Sequence, residues 1–113
     1  MKFYVAASGR GSRTLPNLLR KKYDVVSTWD LDEKDYDPGS CFRAIRDYVQ
    51  IKECDVFICE VGDKLSGGGK HTELGIAMAL GKPVILVGAR EDNVFHSLFL
   101  VRTRNEFCKE YGL

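Results

Sequence analysis

Short apolar runs alternate with amphipathic stretches along the whole of this chain. Residues 2–7 combine aromatic and β-branched side chains and read as a first strand. Residues 23–28, 55–61 and 83–88 read as the second, third and fourth strands, and residues 99–102 as a fifth. Helical patterns fill the intervals. Residues 15–22 carry Pro16 near the first turn, where a missing N–H removes no helix bond. Ser40 is placed to cap a helix whose Phe42, Ile45 and Val49 fall at helical spacing. Residues 72–80 are apolar nearly all round (Leu74, Ile76, Ala77, Met78, Ala79, Leu80), which predicts a helix buried on several sides and stopped by Gly81-Lys82-Pro83. A closing helix is expected over residues 103–111. Residues 8–14 and 29–39 are polar and read as loops, the second closed by Asp37-Pro38-Gly39.

Strands alternating with helices predict an α/β fold: a single-domain doubly wound parallel sheet of about five strands, flavodoxin- or Rossmann-like, spanning residues 1–113. Ligands of such sheets sit beyond the carboxyl ends of the strands. Three loops meet at that edge: residues 8–13, 60–72 and 88–97. Composition then narrows the partners. The formal net charge of +1 gives no bulk attraction to nucleic acid polymers or anionic membranes. No apolar run approaches the roughly 20 residues of a membrane span, and the opening run is too short for a secretory leader. Cys41, Cys54, Cys59 and Cys108 form no C-x-x-C pair and no zinc pattern with histidine, so reduced thiols in a cytoplasmic protein are expected, with neither metal nor cofactor.

The strongest chemical signal is Ser66-Gly67-Gly68-Gly69-Lys70-His71-Thr72-Glu73. Consecutive glycines let the backbone approach a ligand closely, and a helix start offers free N–H groups. Glu73 falls in the first turn of the predicted helix. Such a carboxylate is ordinarily structural, favoured by the helix dipole by a few tenths to about 1 kcal/mol. An apolar helix behind it and a glycine loop at the ligand edge favour a site role instead. Ser8 and Arg10 occupy the first loop, where a hydroxyl and a guanidinium suit a phosphate, although neither G-x-G-x-x-G nor a Walker A pattern is present. Asp55 opens the third strand, and simple topology puts it at the amino end, away from the ligand edge. His71 and His96 read as surface or packing residues.

The run Thr72-Glu73-Leu74-Gly75-Ile76-Ala77, continuing into Ala79-Leu80-Gly81-Lys82-Pro83-Val84, resembles the nucleoside 2-deoxyribosyltransferase family, which includes the 2'-deoxynucleoside 5'-phosphate N-hydrolases. The similarity extends to Cys54-Asp55-Val56-Phe57-Ile58, to Asp47, and to Asn93-Val94-Phe95-His96-Ser97-Leu98. The resemblance implies cleavage of the N-glycosidic bond of a nucleoside or its 5'-monophosphate by hydrolysis or base exchange. By the same resemblance Glu73 is the nucleophile, Asp55 the proton-transfer or positioning carboxylate, and Tyr4 a residue lining the sugar pocket and holding Glu73. It also implies subunits paired as a homodimer, with Ser97 donated to the neighbouring site. The hydrolases carry a serine six residues before the nucleophile; here Gly67 stands there and Ser66 one position earlier. Ser8, Arg10 and a reduced carboxy-terminal segment tilt the implied substrate toward a 5'-monophosphate and the reaction toward hydrolysis. Other readings of the same loop are a non-catalytic nucleotide sensor, a cytokinin-type phosphoribohydrolase and a TIR-like NAD glycohydrolase. The 29–40 loop and the helix after it are expected to contact the base.

Overall fold

The computed structural model describes residues 1–7, 13–31, 41–62 and 68–113. In chain order these form β1 (Lys2–Ala6), α1 (Thr14–Arg20), β2 (Asp24–Val25), α2 (Phe42–Glu53), β3 (Val56–Glu60), α3 (Gly68–Ala79), β4 (Val84–Val87), β5 (Leu100–Arg102) and α4 (Arg104–Tyr111). Short 3-10 turns lie at Trp29–Leu31 and Val94–Leu98. The strands pair in parallel in the order β2-β1-β3-β4-β5. Helices cover both faces, so the central strands are apolar without alternation. Tyr4, Ala6, Phe57, Cys59 and Leu86 point to one face and pack with Ile51 of α2 and with Leu74 and Ala77 of α3. Phe3, Val5, Ile58, Ile85 and Val87 point to the other, against Leu15 and Leu19 of α1 and Phe107 of α4. The strand order reverses between β1 and β3, which opens a crevice at their carboxyl ends.

Several boundaries differ from the sequence expectation, each for a local reason. The second strand is only two residues long because Ser27 turns its side chain to β1: its Oγ accepts the Val5 N–H at 3.1 Å where a backbone carbonyl would otherwise serve. Arg20 holds this turn by donating to Ser27 O and to both oxygens of buried Asp30. Helix α2 begins after Cys41 without a side-chain cap, and Ser40 lies outside the described residues. Its apolar stripe does not face the core: Phe42 is 78% and Ile45 56% exposed, and Ile51 is the buried residue of this helix. Helix α3 starts four residues earlier than expected and is less enclosed. Of its apolar residues only Leu74 and Ala77 are buried, while Ala79 and Leu80 are exposed. The closing helix has a full capping box between Thr103 and Glu106.

Gly88 ends β4 with φ +115°, and a Cβ there would stand 2.5 Å from the Val61 carbonyl oxygen. Both the dihedral and the space demand glycine. Gly88→Ala is expected to cost about 1–3 kcal/mol, the usual range for a forced backbone conformation. An unchanged urea midpoint would refute this.

Candidate active site

Glu73 lies in the second turn of α3, since the helix already begins at Gly68; the first-turn placement expected from sequence is therefore corrected. From there its carboxylate turns inward between three elements. The Tyr4 hydroxyl of β1 donates to Glu73 Oε1 at 2.9 Å. The Tyr4 ring is itself fixed, fully buried and stacked on Phe57 with centroids 5.3 Å apart. Helix α2 packs beside α3 and brings the Asp47 carboxyl into a hydrogen bond with the Glu73 side chain. Arg46, the residue before it, donates from both Nε and Nη2 to Asp47 Oδ1, at 3.1 and 3.0 Å.

This setting changes how Glu73 titrates. Burial pushes its carboxyl up to about 7; the Tyr4 hydrogen bond opposes the rise, Asp47 adds to it by charge and hydrogen bond, and Arg46 opposes it. The Tyr4 phenol is raised above its ordinary value, first by burial and then by Glu73, which keeps it a donor. Once ionised, Glu73 offers a nucleophilic oxygen fixed by Tyr4, with the Asp47 carboxyl beside it.

Asp55 is not brought to this cluster. It sits at the amino end of β3, where its Oδ2 accepts the Lys2 backbone N–H at 2.8 Å on an exposed edge. It caps the start of the β1–β3 ladder, which begins at the Phe3–Val56 pair. Asp47 occupies the place opposite Glu73 instead. Sequence reasoning noted Asp47 only through the family resemblance, because one charge on a helix reads as a solvated face. Its spacing four residues before buried Ile51 was the available signal.

Gly68 and Gly69 are the first two residues of α3, not part of a loop. Ser8, Arg10, Ser66 and Gly67 lie outside the described residues, as do residues 32–40 of the expected base-contacting loop. Trp29 of that loop is described: its Nε1 donates to Val5 O at 2.6 Å at the carboxyl end of β1. Ser97 is exposed on the Val94–Leu98 turn, its hydroxyl donating to Val94 O at 2.7 Å, and makes no bond to the Glu73 cluster.

A second polar cluster ties the start of α3 to the loop after β4. The Lys70 side chain is fully buried and its Nζ pairs with Glu91 Oε1, while His71 Nε2 lies 3.1 Å from Glu91 Oε2. Burial alone would raise the Glu91 carboxyl, but the hydrogen bond and charge of Lys70, with His71, hold it below the ordinary range. His71, Glu91 and His96 offer metal-ligand atoms within 4.8 Å of one another. The donor chemistry does not fit an ion: fully buried His96 accepts the Glu91 backbone N–H at Nδ1, which places its ring proton on Nε2. A metal on Nε2 would require that proton on Nδ1, facing another N–H. The cluster is a structural brace.

Glu60 ends β3 at the crevice. Its Oε2 is buried and has no partner among the described residues, and burial raises its carboxyl against the effect of Arg104, whose Nη1 is 3.4 Å from Oε1. Arg104 also donates to Thr14 at 2.6 Å, joining the starts of α1 and α4. A groove of about 540 Å³ runs along α3 past His71, Leu74, Gly75, Met78 and Ala79 to Asn93 and Phe95. At 3.6 residues per turn that stripe lies on the side of α3 away from Glu73.

A parallel sheet in the order β2-β1-β3-β4-β5, with a tyrosine-held pair of half-buried acidic side chains between α2 and α3, defines a small α/β protein. The chain has the fold of the nucleoside 2-deoxyribosyltransferase family. Among solved structures it is similar to the 2-deoxyribosyltransferase of Bacillus psychrosaccharolyticus, with a TM-score of 0.78 and 22% identity, covering 100% of this chain and 92% of that one. It is also similar to the Clostridium botulinum CMP N-glycosidase BcmB, with a TM-score of 0.62 and 25% identity, covering 97% of each chain. No family model matches the chain, and no curated protein matches it. Among the described residues no helix is long and apolar enough to cross a membrane.

Proposed function

We propose that this protein is an enzyme that cleaves the N-glycosidic bond of a nucleoside or a nucleoside 5'-monophosphate, with Glu73 as nucleophile. The observation that carries the reading is a half-buried Glu73 carboxyl, fixed by Tyr4 and opposed by Asp47, in a chain folded like a deoxyribosyltransferase and a CMP N-glycosidase. A Glu73 oxygen attacks the anomeric carbon as its bond to the base nitrogen breaks, leaving a covalent glycosyl ester. The charge that develops on the leaving base is met by a proton relayed from solvent by way of Asp47. Asp47 takes the proton-transfer or positioning part that the family resemblance implied for Asp55. Water then attacks the same carbon and releases Glu73, or a second base does so in exchange. The slight lean toward hydrolysis of a 5'-monophosphate rests on Ser8 and Arg10, with the resemblance.

A panel of nucleosides and their 5'-monophosphates, ribo and deoxyribo, with and without an acceptor base, tests the reading. Release of free base is expected, and no release from any member would overturn it. The two aspartates separate in the same assay. Asp47→Asn is expected to lower kcat on the order of a hundredfold or more, the usual range for a proton-transferring group. Asp55→Asn is expected to leave kcat nearly unchanged. The reverse ranking would refute the assignment of Asp47.

A further inference from the structure

Two carboxyls in contact resist ionising together, because the second negative charge forms against the first. If Glu73 is to attack as a carboxylate, something must offset that repulsion. Among the described residues, the groups that act on Glu73 are Tyr4 from β1 and Asp47 and Arg46 from α2, with Cys59 from β3 nearby. Cys59 carries no charge to help: burial pushes its thiol up to about 12. Tyr4 donates one hydrogen bond and stays neutral. Lys70 and His71 are both turned to Glu91.

Arg46 differs from all of these. Its guanidinium directs two N–H groups, Nε and Nη2, onto a single oxygen of Asp47. Two donors from one planar group fix the carboxylate's orientation as well as its charge, which a lysine ammonium does less well. The pair is partly shielded from water, with side-chain exposures of 29% for Arg46 and 19% for Asp47. The fork engages Oδ1 and so constrains which way Asp47 turns toward its neighbour.

We infer that Arg46 is a positioning residue of the carboxyl pair: its fork onto Asp47 Oδ1 orients Asp47 and offsets its charge, so that Glu73 can ionise beside it. No bond forms or breaks at Arg46. It acts through Asp47, and its effect is read in Glu73. This inference rests on the proposed reaction only for its purpose; the electrostatic coupling itself can be measured without substrate.

The test is the titration of the Glu73 carboxyl, followed by carbon NMR of the protein labelled at glutamate side chains and assigned with Glu73→Gln. Arg46→Gln is expected to move the Glu73 midpoint upward by about half a pH unit or more, roughly a threefold loss of the ionised form below the midpoint. Arg46→Lys keeps the charge but not the fork and is expected to show a smaller rise. Retention of the wild-type midpoint in Arg46→Gln, with the fold intact by circular dichroism, overturns the inference. With an active substrate, the acid limb of kcat/KM in Arg46→Gln should move with the NMR midpoint. A moved midpoint with no base released from any substrate supports the role of Arg46 and overturns the N-glycosidase reading.

Discussion

Glu73→Gln is expected to abolish base release, lowering kcat on the order of a thousandfold or more while substrate binding stays measurable. Glu73→Ala should behave alike, since both remove the attacking oxygen. Wild-type turnover in either variant would sink the nucleophile assignment. The wild-type pH profile follows from the same group. Attack needs the carboxylate, and burial pushes Glu73 up to about 7, so kcat/KM should rise with pH through an acid limb near 7. Stability has the opposite dependence. The folded protein holds this proton more tightly than the unfolded chain, in which a glutamate titrates near its ordinary 4.5. The stability this group contributes is full below that value and is lost as pH rises through about 7. Glu73→Gln should flatten this decline in melting curves taken between those pH values.

The largest effect on folding is expected at Glu91. Glu91→Ala leaves the Lys70 ammonium buried without its carboxylate, and breaking a buried pair from one side costs about 3–5 kcal/mol. The value here should lie near the lower end, because Glu91 keeps 13% of its side chain exposed. Replacing both partners with apolar residues, as in Lys70→Met with Glu91→Leu, should recover most of the loss, since no charge is then stranded. Urea denaturation of the single and double variants measures this. A double variant as unstable as Glu91→Ala would mean that the pair itself, and not the orphaned ammonium, carries the stability.

The parts of this molecule that were legible in its sequence are those set by local chemistry. The apolar runs of β3 and β4 admit no other reading, and Thr103 with Glu106 at capping-box spacing marks the start of α4. Glu73 stood out because an acid beside glycines ahead of an apolar helix is an unusual combination. The misplacements came from contacts between distant residues. Asp47 and Glu73 are separated by half of α2, a strand and a loop, and only the packing of α2 against α3 makes them neighbours. Asp55 was raised as a site residue only by the family resemblance, while topology placed it at the strand's amino end, where it accepts a backbone N–H. Phe42, Ile45 and Val49 have the spacing of a core stripe, yet they face outward, and spacing alone carries no direction. The Lys70–Glu91 brace joins α3 to the loop after β4 and left no trace in either.

The shortness of β2 also bears on how an exposed sheet edge resists strand addition. Both sheet edges are brief, two residues in β2 and three in β5. At the first, the Ser27 hydroxyl takes the β1 amide that a longer edge strand would have bonded. An edge this short gives an incoming chain few free amides and carbonyls to zip onto, a safeguard against open-ended β-aggregation.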